Sequence, residues 1–495
     1  MKNPKAVSPT RRRFLQGAAT LAGSSLFAGS STLFSSMKAW AQDPPSCPTP
    51  PSGGTHFAPG SDTRPIKLRQ SASSLSATQL TALQNAFAAV RALPAADKRR
   101  WVLQADLHAL YCGSCSNNAV DIHGSWSFFP WHRAYLYYLE RILGTLVGDI
   151  NNFRLPYWDW ENVRSLPTSY RTPNSSSNSQ WDGNRNSGIA GGGNLPAGDG
   201  TQSRIDTLNL LTDFTSFGGN SFTGGALEDD PHGIIHMDVG LPSYPYHDMG
   251  NLGYAARDPI FFAHHCNIDK LWSGWNDLAG GGGLPAGAYT NPTDPSFQNL
   301  RWSFYDENQN TVSISAADVL DHKDNLRYIY KLQFVKVQPP LLIWICKVLC
   351  CLPGPERGSF VEVTEQVREQ ALTAARQQST MLLVMHGVQV PPEAKGVFEI
   401  LAVRGDRRMH VGSLGLVPNG EAHQGKEHGQ HTVVLDITRV APDLLAKERP
   451  AALHVVRRPA DQKAGAPGEL VAPGRKLEPA FELKAERAEI RAQKR

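Results

Sequence analysis

At 495 residues with 41% hydrophobic content, the chain is long enough for a large domain plus a second one, each with its own core, which excludes a small binding module. A net charge of +4, with Lys and Arg spread along the sequence and no basic stripe interleaved with aromatics, leaves no footprint for nucleic acid. Seven cysteines are odd in number and few for this length, which excludes a disulfide scaffold as the source of stability.

In chain order, the first signal is Thr10-Arg11-Arg12-Arg13-Phe14-Leu15-Gln16, followed by a weakly apolar Ala, Gly, Ser and Leu stretch that closes on Ala39-Trp40-Ala41. This is the pattern of a bacterial twin-arginine signal over residues 1–41, with a mature chain starting near Gln42 that is periplasmic or secreted. Gly and Ser are too frequent for a stable bilayer span, so no stable membrane association is expected. A route that exports folded protein suggests a cofactor inserted beforehand.

Residues 42–336 are predicted to form a mainly α domain. Helical spacing of Leu80, Leu83, Phe87 and Val90, then of Trp101, Leu103 and Leu107, predicts two helices between residues 77 and 110. From Pro130, the stripe Trp131, Tyr135, Tyr138, Leu139, Ile142 and Leu143 predicts a core helix with proline in its first turn. Residues 165–201, dominated by Ser, Asn, Gly and Pro, read as a long surface loop tolerant of insertions. Asp230-Pro231 and Asp258-Pro259 each open a further helix, with Asp capping free amides and Pro at the first helical position. The sum is a four-helix bundle around one site. Residues 337–358 read as an apolar linker rich in Cys and Pro, too short to span a bilayer. Over 359–495, short β-rich runs near 381–384, 397–403, 432–437 and 452–456 predict a C-terminal β-sandwich-like domain, with a charged tail after Lys484 that is helical or unstructured.

Of sixteen histidines, those after residue 300 lack ligand spacing and read as surface residues. Seven earlier ones differ. His232 and His236 lie one helical turn apart, so both rings can reach one metal ion. His264 and His265 are neighbours on the next helix and point about 100° apart, so only one of them is expected to join that site. His132 follows Phe128-Phe129-Pro130-Trp131, His123 lies in the loop before it, and His108 ends an apolar helical stretch. An all-imidazole set suits copper in both oxidation states, whereas a di-iron site asks for inward carboxylates and a blue-copper site for a cysteine ligand.

Five segments together resemble the tyrosinase family, and especially its plant polyphenol oxidase branch: Asp106-Leu107-His108 to Cys112; His123 to Arg141 with its Phe-Phe-Pro-Trp-His-Arg core; Leu155-Pro156-Tyr157-Trp158-Asp159-Trp160; Pro231 to His236; and Asp248-Met249-Gly250-Asn251 through Trp272. The resemblance implies two copper ions per chain, dioxygen as co-substrate and small phenolic substrates, with monophenols ortho-hydroxylated and o-diphenols oxidised to o-quinones. It assigns His108, His123 and His132 to the first copper and His232, His236 and His265 to the second, His265 being the histidine four places before Asp269. His264 and Asp269 become supporting residues. Cys112 is expected to form a thioether to His123, a covalent restraint that suits a ligand carried on a loop.

By the same resemblance Glu228 is the water-holding glutamate, able to orient a proton-accepting water. Gly233 replaces an Asn found in several tyrosinases and is expected to open space beside the copper. Leu252 stands where some catechol oxidases carry an overhanging Phe, which predicts a wider mouth. The C-terminal domain resembles one that covers the copper site and confers latency. Ala109 departs from the plant pattern, where a disulfide cysteine follows the first ligand; Cys47 and Cys115 could still pair, while Cys266 is expected to be packed. Cys346, Cys350 and Cys351 read as apolar cover of the core or a subunit interface, or alternatively as soft thiolates that hold Cu(I) during loading. A homo-oligomer is compatible with this sequence. The competing readings are a catechol oxidase or o-aminophenol oxidase without monophenolase activity, and a hemocyanin-like oxygen carrier.

Overall fold

Ser76 starts the first helix, α1 (Ala77–Arg91), with a reciprocal cap: its hydroxyl accepts from the Gln79 N–H and the Gln79 side chain accepts from its own N–H. Helices α2 (Trp101–Tyr111) and α3 (Phe128–Leu146) follow, and α3 is buried along most of its length. The computed structural model describes residues 47–493 except 116, 119, 242–246, 281–283, 332–341, 351–357, 419–429, 460–464, 466–467 and 472–478. The twin-arginine leader and Cys351 lie outside the described residues. No helix among the described residues is long and apolar enough to cross a membrane.

The Asp230-Pro231 start is not a capped helix. Glu228–Gly233 forms a wide irregular turn in which Asp230 is extended (φ −144°, ψ 110°), and the regular helix α4 begins only at Ile234 and runs to Val239. The Asp230 carboxylate faces Arg204 at 2.9 Å instead. At the next long helix, α5 (Ile260–Asp277), Asp258 does cap, accepting from the Ile260 N–H at 3.0 Å.

The Ser- and Asn-rich stretch over 165–201 is largely irregular and partly exposed, as expected, but it is anchored at buried residues rather than loose. Tyr170 and Gln180 are fully buried, and buried Arg185 binds the Asp258 carboxylate at 2.6 and 2.7 Å, bracing the residue that caps α5. Polar segments can be buried when their groups find partners, and a composition reading does not see partners.

A buried ion cluster ties α3 to α5. Asp269 accepts from Arg133 Nε at 2.5 Å, from Arg69 Nη1 at 3.2 Å, and from the Tyr328 and Tyr330 hydroxyls at 2.6 and 2.7 Å. Arg133 and Asp269 lie one residue after His132 and four after His265, so this cluster sets the register of two histidine-bearing helices.

The C-terminal part is mostly sheet: β1 (Leu342–Cys350), β2 (Ser359–Glu362), β3 (Thr380–Val388), β4 (Gly396–Arg404), β5 (Arg407–Leu416), β6 (His431–Asp436), β7 (Ala452–Arg457), β8 (Pro479–Phe481) and β9 (Arg487–Gln493). The order is β5-β4-β7-β2-β1-β9-β3-β6, with β8 beside β7. Strand β1 pairs with β9 along its first half and with β2 along its second, so it belongs to both halves of a sandwich-like body around Trp344, Met385, Ile400, Leu435, Val455 and Ile490. Two expectations change here. The apolar run expected as linker supplies strand β1, with Cys346 packed in the core, where burial pushes its thiol up to about 12 and so leaves it no thiolate character. The charged tail is the inner strand β9: Ala488, Ile490 and Ala492 face the core, while Glu489 and Arg491 pair with each other and Arg491 reaches Asp213 at 2.8 Å.

Candidate metal centre

Seven buried or nearly buried histidines gather in two groups, His108, His123 and His132 in one and His232, His236, His264 and His265 in the other, with candidate donor atoms within 4.8 Å of one another in each. His108 comes from α2, His132 from α3, His232 from the irregular turn, His236 from α4, and His264 and His265 from α5; His123 lies on the loop before α3. The groups adjoin: the His132 and His265 rings stack at 4.1 Å.

Backbone carbonyls fix four of these rings. His108 Nδ1 meets Leu252 O at 2.9 Å, His132 Nδ1 meets Phe128 O at 2.7 Å, His232 Nδ1 meets Glu228 O at 2.7 Å, and His236 Nδ1 meets Met249 O at 2.8 Å. A carbonyl only accepts, so each Nδ1 carries the proton and each Nε2 presents a lone pair. The Nε2 atoms of His108, His132 and His232 are buried without a hydrogen-bond partner, as are both nitrogens of His123, whose Nδ1 lies 3.8 Å from the Asp121 carboxylate, and Nδ1 of His265. His236 Nε2 and His265 Nε2 are 3.3 Å apart, which matches the roughly 3.3 Å edge of a tetrahedron whose nitrogens sit about 2.0–2.1 Å from a common ion.

Burial holds the rings neutral, as ligation requires: His108 falls to about 3, with His236 adding to the effect, and His236 falls to about 4, while His123, His132, His232 and His265 lie well below the ordinary histidine range. Orphaned, neutral, converging imidazoles with no carboxylate among them are the donor set that suits copper.

The expectation that only one of His264 and His265 reaches the site is not met, because both rings do. The His264 ring lies parallel to that of His232 at 5.3 Å and edge-on to that of His236 at 5.0 Å. The backbone angle between neighbours fixes where Cβ points, but an imidazole reaches far enough to bring its nitrogen back. What distinguishes His264 is its partner: Trp160 Nε1–H donates to its Nδ1 at 3.2 Å.

Around these rings, Glu228 is buried and accepts from the Gly124 N–H at 2.8 Å, with its second oxygen unpartnered. Burial, then nearby Asp229, raises its carboxyl well above the usual range. Cys112 closes α2 and is buried; its backbone bridges to Asp121, which brings the His123 loop alongside. Burial pushes its thiol up to about 12. A disulfide joins Cys47 to Cys115, and Cys266 is fully buried.

The sheet domain lies directly on this centre. The space expected beside Gly233 is filled: a Cβ there would sit 2.4 Å from Gly415 O, and a Cβ on Gly415 would sit 2.3 Å from Ile234 N. Gly233 is therefore a close-approach glycine that lets β5 lie flat on the His232 turn. Leu252, largely buried, donates its N–H to Pro418 O at 2.9 Å while its carbonyl holds His108. Arg458 binds Asp199 and Asp238 at 2.6 and 2.7 Å, and His431 meets Asp229 at 2.9 Å. His410 and His431 are thus buried, against the surface reading given to late histidines. The carbonyls of Leu252 and Met249 carry no side-chain chemistry that spacing could have flagged, and the Trp160 motif gave no sign that its indole would meet His264.

The chain matches the family models "Common central domain of tyrosinase" over residues 98–209 and 175–278 and "Polyphenol oxidase middle domain" over residues 291–340. It is 35% identical over 300 residues to the "Polyphenol oxidase latent form, chloroplastic" of Prunus armeniaca, covering 54% of this chain and 49% of that one. The chain spans about half the length of the curated relatives it matches. A latent aurone synthase from its natural source superposes with a TM-score of 0.63 over 90% of this chain and 94% of its own, at 24% identity, and so shares the fold including the sheet domain. The crystal structure of Grenache (Vitis vinifera) polyphenol oxidase is 31% identical, with a TM-score of 0.52 over 59% of this chain and 94% of its own. With two converging histidine sets and relatives at this level, the chain belongs to the tyrosinase and polyphenol oxidase family of type 3 copper proteins.

Proposed function

We propose that the protein is a copper-dependent phenol oxidase that ortho-hydroxylates monophenols and oxidises o-diphenols to o-quinones with dioxygen. The observation that carries this reading is the pair of adjoining buried histidine sets whose free ring nitrogens converge. His108, His123 and His132 would hold the first copper, and His232, His236 and His265 the second. When bound, the two ions supply dioxygen binding and accept the electrons of phenol oxidation.

The chain's own residues do the rest. Carbonyls of Leu252, Phe128, Glu228 and Met249 orient the rings before any metal arrives. The unpartnered Glu228 oxygen is free to hold the water that takes the phenol proton. Leu252, smaller than a phenylalanine, would leave more room for monophenols once the sheet-domain segment at Pro418 that covers it is displaced.

The test is an aerobic assay of copper-loaded protein with catechol and tyrosine side by side. Quinone from both is expected, and Leu252→Phe should lower tyrosine turnover more than catechol turnover. Quinone from catechol alone removes the monophenolase reading; quinone from neither, in protein holding two coppers, supports an oxygen carrier.

The Cys112–His123 thioether is part of the same proposal: the bridge to Asp121 places the loop beside Cys112, and a covalent tether would fix the one ring of the first set that no carbonyl holds. Peptide mapping of copper-loaded protein kept in air is expected to find the two residues cross-linked, the Cys112 S–H and one imidazole C–H having given two electrons and two protons to dioxygen; an alkylatable Cys112 thiol contradicts it.

The sheet domain, seated on the His232 turn, is proposed to restrict substrate entry. Gly415→Ala overlaps the Gly233 and Ile234 backbone without touching a histidine ligand. It should raise catechol turnover several-fold with copper content unchanged; unchanged or lower turnover at full copper would mean that the domain does not gate the site.

A further inference from the structure

His264 is the seventh histidine of the centre, and the proposed copper sets do not use it. It is fully buried, its Nδ1 accepts from Trp160 Nε1–H at 3.2 Å, and its Nε2 has no partner. An indole nitrogen can only donate, so His264 Nδ1 holds a lone pair and the proton of the neutral ring sits on Nε2. This is the opposite tautomer from His108, His132, His232 and His236, whose Nδ1 atoms face carbonyl oxygens.

The consequence is chemical. An Nε2–H has no lone pair to give a metal, and moving the proton to Nδ1 would set two N–H groups against each other in a buried site. His264 is therefore barred from ligation although it sits among ligands. Its N–H instead remains a buried donor without an acceptor, and a buried donor is costly unless it finds a partner. The acceptor must occupy the space into which the second histidine set converges, since the His264 donor atom lies within 4.8 Å of those of His232, His236 and His265.

We propose that His264, locked by Trp160 as its Nε2–H tautomer, donates a hydrogen bond to the phenolate oxygen of the substrate at the second metal position. The role rests on the copper oxidase reading above. It makes His264 a substrate-orienting donor and Trp160 the positioning residue that sets its tautomer. The same lock explains how two adjacent histidines can both face the centre while one alone ligates.

The experiment uses full-length copper-loaded protein and benzoate, an aromatic anion whose carboxylate oxygen stands in for phenolate and which has no ring hydroxyl to oxidise. Benzoate affinity and copper content are measured for the wild type, His264→Leu, His264→Gln and Trp160→Phe. All are expected to hold two coppers. Benzoate should bind about ten-fold or more weakly to His264→Leu and Trp160→Phe, and within about three-fold of wild type to His264→Gln, whose amide keeps an N–H. Loss of a copper in His264→Leu would make His264 a ligand and overturn the proposal. So would unchanged benzoate affinity in His264→Leu, or equal weakening in His264→Gln, since a merely structural residue gives no rescue by a donor. A wild type that fails to take up two coppers would instead count against the copper oxidase reading.

Discussion

His236→Ala is expected to leave one copper per chain and to cut catechol turnover to below roughly a thousandth of wild type. His236 is fully buried, its Nδ1 is spent on Met249 O, and its Nε2 lies 3.3 Å from that of His265. Removing it leaves the second set with His232 and His265, and His264 cannot move in while Trp160 holds its proton on Nε2. The lost ring is neutral, so the metal-free fold should stay near wild type by circular dichroism. His132→Ala should empty the first site in the same way. Copper analysis together with catechol oxidation checks both; two coppers in His236→Ala would remove that residue from the ligand set.

Asp269→Ala should destabilise the helical part by about 3–5 kcal/mol, because it strips the buried Arg133 guanidinium of its carboxylate and leaves buried Arg69 with Glu140 alone. Burial alone would raise the Asp269 carboxyl, but Arg133 and Arg69 hold it below the ordinary range. Such a depressed carboxyl contributes stability that is fully present above its unfolded pKa of about 4 and is lost as pH falls through the lower folded value. Urea midpoints of wild type and variant at neutral pH should therefore differ widely and converge toward strongly acidic pH. A midpoint shift worth less than about 1 kcal/mol would show that the cluster is not what couples α3 to α5.

The helices that carry the centre were legible because their apolar stripes and the Asp258 cap are local signals. The histidines were legible because ligand chemistry restricts the residue type. What escaped was decided by partners distant in sequence. Asp230 forgoes capping for Arg204, Arg185 crosses from a polar stretch to Asp258, and Trp160 reaches His264. The tail after Lys484 hid a strand because its alternate positions are charged, and only the sheet shows that Glu489 and Arg491 satisfy each other at the face next to Asp213. Gly233 misled for the same reason: a glycine announces that something comes close, not what does, and the carbonyl of Gly415 arrives from about 180 residues away.

The most direct test is the copper content of the purified, copper-loaded chain, read by metal analysis beside His265→Ala and His264→Leu. Two coppers in the wild type, one in His265→Ala and two in His264→Leu are predicted. One or none in the wild type, or two retained in His265→Ala with one lost in His264→Leu, would contradict the centre as described.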